Sequence, residues 1–126
     1  MHFFSGTVEE LNECLQRGYY ISFTTMTCIS KKYRKLAKKT PLDRMLLETD
    51  APWLDPVKSD IVNDDKESTE TESEKKASDY DGNPFSLTNR PWKIALTAEK
   101  LEKELKIPKE EILEKTEENA RRLFKI

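Results

Sequence analysis

The sequence is poor in cysteine and histidine and has no long apolar run. Among its 126 residues are two cysteines and one histidine, too few for a disulfide framework or a cysteine-based zinc site, and a reducing compartment is the simplest setting. No stretch approaches the roughly 20 apolar residues that cross a bilayer, and no basic segment followed by an apolar one opens the chain. We therefore expect a cytoplasmic protein with no membrane partner.

Excess positive charge is also missing. Lys and Arg number 22 against 24 Asp and Glu, for a formal net charge of −2. This balance excludes a protein that binds nucleic acid through bulk positive charge alone. Charged residues make up 37% of the chain and hydrophobic residues 36%, so the core must be modest. The length fits one small domain or part of a larger one.

The acidic residues are concentrated in one segment. Residues 58–82 hold nine acidic and four basic side chains and few apolar ones. Such a composition cannot bury enough surface to offset the entropy lost on ordering, so we expect an acidic, disordered insertion. Because both flanks show folded patterns and long loop insertions cost little closure entropy, we place the insertion inside one domain, residues 1–126.

Strand and helix signals alternate before the insertion. Thr7 and Glu10 match a capping box at the start of a helix that Gly18 ends. Residues 19–24 are rich in aromatic and β-branched types and predict a strand, and the apolar run at 45–49 predicts another. A strand stub at the start of the chain and a helix from Ser30 to the residue before Pro41 complete this half.

After the insertion the sequence predicts helices only. Pro91 can occupy the first turn of one helix, and Pro108 can open a second, short helix at its first position. A separate last helix is expected to bury an apolar side made of Ala120, Leu123 and Phe124.

This order of elements indicates the α/β class, because alternating strands and helices favour a parallel sheet with right-handed crossovers. Two strands and a stub leave both sheet edges open, and strands of this apolar kind need neighbours. We interpret the chain as the C-terminal part of a larger α/β fold.

Polar side chains lie where these strands end. In parallel α/β folds active sites collect at the C-terminal ends of the strands, which here carry His2, Thr24 and Thr25, and Glu48 to Asp50. An imidazole and a carboxylate at neighbouring strand ends suit a divalent metal ion, which can make a nucleophile of bound water at neutral pH. Spacing alone gives too few ligands for a catalytic metal.

Four segments, in this order and spacing, resemble the TatD family of metal-dependent hydrolases, which includes deoxyribonucleases built on a (β/α)8 TIM barrel. They are His-Phe-Phe-Ser-Gly at 2–6, Tyr-Ile-Ser-Phe at 20–23, Leu-Leu-Glu-Thr-Asp-Ala-Pro at 46–52 and Glu-Asn-Ala-Arg-Arg-Leu-Phe at 118–124. The likeness covers the chain except the acidic insertion. It implies a partial barrel, made of the last three βα units.

The resemblance also implies roles for particular residues. His2 would bind the second metal ion, and Asp50 would bind the first and act as the catalytic residue that orients or deprotonates the attacking water. Glu48 would lie beside the site and support a ligand. The ion would be Mg²⁺, Mn²⁺ or Zn²⁺. Arg90 stands in an Asn-Arg-Pro sequence where many members have Asn-Glu-Pro, and a phosphate contact is the one role it suggests.

Other ligands of the family pattern have no counterpart here. The opening His-x-His, a bridging Glu and a further His lie upstream in the family, whereas this sequence has a single histidine. We expect a C-terminal fragment of a hydrolase acting on DNA or another phosphoester, inactive unless a separate N-terminal half completes the barrel. Such a fragment could arise from a truncated gene, a split gene or a misplaced start.

The alternative is a non-catalytic barrel remnant that serves as a binding or regulatory module. Three further side chains have plain structural interpretations. Trp53 and Trp92 could stack on bases, but packing in the core or a loop is expected. Asn119 is expected to cap or brace the last helix.

Overall fold

A computed structural model describes residues 1–55 and 88–126, and the predicted insertion at 58–82 lies outside the described residues. The helices are α1 (Val8–Gln16), α2 (Met26–Ile29), α3 (Lys31–Lys39), α4 (Ile94–Leu105) and α5 (Lys109–Phe124). The strands are β1 (Ile21–Phe23) and β2 (Met45–Leu47), and short 3-10 helices cover Leu42–Arg44 and Pro91–Lys93. The predicted α/β class is confirmed.

The two strands pair in parallel, with Ile21 opposite Met45 and Phe23 opposite Leu47. The Glu48 N–H donates to the Phe23 carbonyl at 3.0 Å, which extends the pairing one residue toward the loop. Helices pack around this sheet, so its residues join the apolar core. The core consists of Phe4, Leu11, Ile21, Phe23, Leu36, Ala37, Met45, Leu101 and Ile112.

The predicted strand stub is not a regular strand. Phe3 has a φ of 43°, and this left-handed conformation interrupts the extended chain. The segment nevertheless follows β1, because the Ser22 N–H donates to the Met1 carbonyl at 3.0 Å and the Phe4 N–H donates to the Ser22 carbonyl at 3.3 Å. Since bonding groups alternate along a strand, Ser22 faces the edge of β1 away from β2. His2 therefore lies in a segment that runs along the edge of β1 away from β2.

Helix α1 begins with the predicted capping box. The Thr7 hydroxyl accepts the Glu10 N–H at 3.2 Å, and the Glu10 carboxylate accepts the Thr7 N–H at 2.7 Å. Gly18 follows the helix with a φ of 76°, a conformation that glycine adopts without a Cβ penalty. The fully buried Leu11 anchors the helix to the core.

The two helices predicted after Pro108 are in fact one helix, α5. Its sequence contains no glycine or proline, so nothing breaks the backbone hydrogen bonding. Pro108 lies one residue before the first helical position instead of occupying it. The Glu117 and Arg121 side chains pair at 2.8 Å across the exposed face, at the spacing that stabilises a continuous helix.

The predicted apolar side of the last helix was wrong in part. Leu123 and Phe124 are 42% and 65% exposed. The buried face of α5 instead carries Ile112, Thr116 and Asn119, because these positions face the core.

Asn119 braces α5, as expected. Its side-chain amide donates to the Leu42 carbonyl at 2.8 Å and to the Met45 carbonyl at 2.9 Å. The brace therefore joins the helix to the start of β2, at the opposite end of that strand from Glu48. None of the helices in the described residues is long and apolar enough to cross a bilayer.

Candidate active site

The structure brings His2 and Asp50 together at the C-terminal ends of the strands. His2 comes from the segment beside β1, and Asp50 lies three residues after β2 ends at Leu47. The His2 Nε2 atom lies 3.6 Å from Asp50 Oδ1. Two side chains far apart in the sequence therefore converge on one rim of the sheet, as barrel ligands do.

Glu48, which follows β2, contacts the segment that carries His2. One carboxylate oxygen lies 3.0 Å from His2 Nε2, and the other accepts the Phe3 N–H at 2.5 Å. Glu48 is also the least exposed of the three, at 18% of its side-chain surface against 31% for Asp50 and 71% for His2. Both carboxylates approach the same ring nitrogen, so the part of the contact that an ion at Nε2 would leave in place is the hydrogen bond from Phe3, which holds the segment that carries His2.

The chemistry of the pair suits part of a metal site. Imidazole nitrogen and carboxylate oxygen both bind divalent ions, and two ligands at bond lengths of about 2.0–2.2 Å stand roughly 3 Å apart. The observed 3.6 Å between His2 and Asp50 needs only a small adjustment to share an ion. Within residues 1–55 and 88–126, however, no group of three or more His, Cys, Asp or Glu side chains could hold a metal. The described residues thus offer an incomplete ligand set.

A tight turn presents Asp50. Its φ is 59°, in the left-handed region, which asparagine and aspartate tolerate better than most residues. The Asp50 carbonyl accepts the Trp53 N–H at 3.0 Å, and the Thr49 hydroxyl accepts the Ala51 N–H at 3.3 Å. The side chain projects from a turn with its own internal hydrogen bonds.

Asn89 contacts this turn, which sequence reasoning missed. Its buried side-chain amide donates to the carbonyls of Thr49 at 2.6 Å, Trp53 at 2.7 Å and Leu54 at 3.2 Å. Its backbone N–H donates to the Pro52 carbonyl at 3.1 Å. The available signal was its position in the Asn-Arg-Pro sequence, but nothing in spacing alone tells which backbone groups an asparagine will meet.

The polar side chains that follow β1, which the sequence also placed at a strand end, form hydrogen bonds with the backbone and not with His2. The Thr25 hydroxyl donates to the Leu54 carbonyl, and the Thr24 hydroxyl accepts the Met26 N–H at 3.2 Å. Both threonines are buried. Lys93 joins the segment after Asn89 to the end of the Asp50 loop, because its Nζ lies 2.9 Å from both carboxylate oxygens of the buried Asp55.

The prediction that the two tryptophans pack in the core or a loop was wrong. Trp53 is 72% exposed and Trp92 is 70% exposed. The Trp53 carbonyl accepts the Asn89 side-chain amide, and Trp92 follows Asn89 by three residues. The Arg90 guanidinium lies 5.9 Å from the centre of the Trp92 ring. The phosphate contact expected of Arg90 stays a prediction.

An open groove extends from His2 and Glu48 along the exposed end of α5. It accounts for the error in the predicted apolar side of this helix, because Leu123 and Phe124 border the groove and not the core. The other lining residues are Met1, Ser22, Leu46, Leu47, Ala120, Leu123 and Phe124.

Comparison with known proteins identifies relatives of this site. A family model described as TatD related DNase matches residues 1–125. An uncharacterized metal-dependent hydrolase, YabD, from Bacillus subtilis is 31% identical over 129 residues. The alignment covers all of this chain and 40% of YabD. A 3'-5' ssDNA/RNA exonuclease TatD from Erwinia tasmaniensis is 46% identical over 59 residues, which cover 44% of this chain and 23% of the relative.

A solved structure shares the fold. The crystal structure of a TatD family hydrolase from Entamoeba histolytica superimposes with a TM-score of 0.69 at 22% identity, over 94% of this chain and 39% of the other. The chain thus spans about two-fifths of the length of the relatives that match it throughout.

Proposed function

This chain belongs to the TatD-related DNase family, and from that premise we propose that it is the C-terminal part of a metal-dependent phosphodiesterase acting on DNA. The observation that carries the proposal is the 3.6 Å approach of His2 Nε2 to Asp50 Oδ1. These two donors come from different segments and meet at the rim where parallel α/β enzymes place their chemistry. We take residues 1–126 as one domain, with the acidic segment 58–82 as an insertion within it.

We propose distinct roles for the three side chains at this rim. His2 and Asp50 would hold a divalent ion (Mg²⁺, Mn²⁺ or Zn²⁺), which when bound polarises a phosphate oxygen and lowers the pKa of a water. Asp50 orients the attacking water through a carboxylate oxygen and can accept its proton. Glu48 supports His2 through the backbone, because its carboxylate accepts the N–H of the neighbouring Phe3 at 2.5 Å.

The site needs further ligands, and we propose that a separate N-terminal half with the first five βα units supplies them. Two features support this. The exposed Leu123 and Phe124 border the groove beside His2 and Glu48, and the edge of β1 away from β2 carries only the irregular segment 1–4. An additional strand placed beyond that segment would cover the apolar surface that Leu123 and Phe124 expose. Without such a partner we expect weak metal binding and negligible turnover.

Single-stranded DNA is the first substrate to test. Relatives bear the name of ssDNA/RNA exonucleases, and the exposed rings of Trp53 and Trp92 could stack on unpaired bases, which requires no sequence preference. We further propose a cytoplasmic location, which agrees with two cysteines that form no disulfide.

The decisive experiment measures cleavage of a labelled single-stranded oligonucleotide with Mg²⁺ or Mn²⁺. The full chain is assayed alone and after mixing with a polypeptide that carries the first five βα units of YabD. We expect cleavage by the mixture only. In the mixture His2→Ala and Asp50→Ala should each lower the rate by at least about a hundredfold, whereas Asp43→Ala, an exposed aspartate before β2, should leave it unchanged.

Cleavage by the chain alone would contradict its dependence on a partner. A mixture that forms a stable complex yet binds no Mn²⁺ would contradict the proposed metal site.

A second candidate function is a binding or regulatory module without catalysis. The incomplete set of metal ligands in the described residues favours it. The same two variants separate the candidates, because a module would keep its partner affinity in His2→Ala and Asp50→Ala.

A further inference from the structure

We propose that Asn89 is a positioning residue for the catalytic rim, holding the turn that presents Asp50. The inference rests on the function proposed above, because it assigns a purpose to that turn. Asn89 itself contacts neither His2 nor the Asp50 carboxylate in the hydrogen bonds of the structure. It acts through the backbone on either side of Asp50.

The first argument is how many backbone groups Asn89 holds. Its amide nitrogen meets the carbonyl before Asp50, on Thr49, and two carbonyls after it, on Trp53 and Leu54. Its backbone N–H takes a fourth carbonyl, on Pro52. One residue, 1% exposed, thus fixes both ends of the turn. The Leu54 carbonyl also accepts the Thr25 hydroxyl, so the bonds to Thr49 and Trp53 matter most; partly buried carbonyls that lose their donor are costly, and this loop geometry therefore depends on Asn89.

The second argument is that an amide matches the partners at both of its ends, with its two N–H groups shared among three carbonyls. The Asn89 side-chain oxygen accepts the Arg90 N–H at 2.9 Å, while the nitrogen faces three carbonyls. This pattern of one donor and three acceptors sets the direction of the amide without ambiguity. Aspartate would place an acceptor against carbonyls, and leucine would supply no donor at all.

The third argument is the conformation of Asp50. A residue other than glycine with a φ of 59° is disfavoured and persists where its surroundings determine the backbone. The hydrogen bonds of Asn89 to Thr49 and Trp53 supply that restraint. If they were lost, Asp50 could relax toward negative φ and its carboxylate would turn away from His2.

The molecule offers a matched control in Asn119. This asparagine is also fully buried, and its amide also donates to backbone carbonyls, those of Leu42 and Met45. It braces the start of β2, whereas Asn89 braces the loop beyond the end of that strand. Asn89→Leu and Asn119→Leu are therefore the same chemical change at opposite ends of one strand.

The first measurement does not depend on the proposed function. The Trp53 N–H donates to the Asp50 carbonyl, and its hydrogen exchange is followed in the full chain. Urea is added to the more stable variant until both variants have the same free energy of unfolding. Asn89→Leu should speed this exchange by about tenfold or more relative to Asn119→Leu. Equal exchange in the two variants would overturn the inference. Asn89→Ser, which cannot span the three carbonyls, is the second variant if leucine prevents folding.

The second measurement is Mn²⁺ affinity of the chain completed by the N-terminal half of a relative. We expect Asn89→Leu to weaken binding by about tenfold to a hundredfold, as is typical when a group that orients a ligand is removed, and Asn119→Leu to leave it unchanged. Wild-type affinity in Asn89→Leu, with His2→Ala and Asp50→Ala impaired, would overturn the positioning role and spare the proposed function. No Mn²⁺ binding by the completed wild-type protein would instead overturn the function.

Discussion

Asn119 should be among the side chains on which folding of this chain most depends, and Asn119→Ala tests this. The side chain is fully buried and donates to two carbonyls, at 2.8 and 2.9 Å. These bonds join α5, the last helix, to the 3-10 helix and strand that lie more than seventy positions earlier in the chain. The two bonds span 77 and 74 positions of the sequence.

The expected cost follows from the number of groups affected. Loss of the bond to Leu42 should cost about 1 kcal/mol net, because that carbonyl still accepts the Met45 N–H, and the Met45 carbonyl left without the Asn119 donor should cost about 1–3 kcal/mol. Among the described residues the Asn119 side-chain oxygen finds no hydrogen-bond partner, so removing it relieves a small penalty. Together these effects predict a loss of about 2–4 kcal/mol, a large share of the roughly 5–15 kcal/mol typical of a domain.

Urea unfolding followed by circular dichroism at 222 nm measures the loss. Asn12→Ala is the control, because Asn12 is exposed on α1 and should change stability by no more than about 0.5 kcal/mol. If Asn119→Ala costs as little as Asn12→Ala, the hydrogen bonds of Asn119 do not stabilise the fold and the brace is refuted.

Two further predictions concern local charge and capping. Thr7→Ala removes the hydroxyl that accepts the Glu10 N–H and should cost about 1 kcal/mol in thermal unfolding, whereas Thr7→Ser should cost little; equal losses in both would contradict the capping box. The hydrogen bond from Lys38, helped by the charge of Arg34, lowers the pKa of Glu104 below its usual 4.5. Its stabilisation is therefore present above pH 4.5 and disappears as the pH falls through the lower folded-state pKa. Glu104→Gln should lose about 0.5–1 kcal/mol at pH 7, and urea titrations in acid should show the difference closing; a difference that does not change with pH would contradict it.

Local chemistry made parts of the fold predictable. Thr7, Glu10 and Gly18 act within one turn of their own backbone, so the sequence predicts where α1 begins and ends. The apolar run from Met45 likewise predicted a buried strand, because such a run needs burial on both faces. The meeting of His2 and Asp50 followed from the family resemblance and from the rule that parallel strands end on the same rim.

Distant contacts limited the rest. Leu123 and Phe124 have the spacing of a core face, yet the residues that face the core on α5 are Ile112, Thr116 and Asn119. Periodicity reports that a helix has an apolar side but not what covers it. Asn89 was missed for a similar reason, since its partners at Thr49 and Trp53 are set by tertiary packing. The exposure of Trp53 and Trp92 likewise depends on where two loops meet.

The hydrogen bond from Asn89 to the Leu54 carbonyl, 3.2 Å long, joins the two ends of the intervening sequence. Lys93 binds Asp55 at the same place. The number of residues between these two ends should therefore have little effect on the free energy of folding, since doubling a closed loop costs only about 0.6 kcal/mol. Evolution could lengthen, shorten or recompose residues 56–87 without moving the rim.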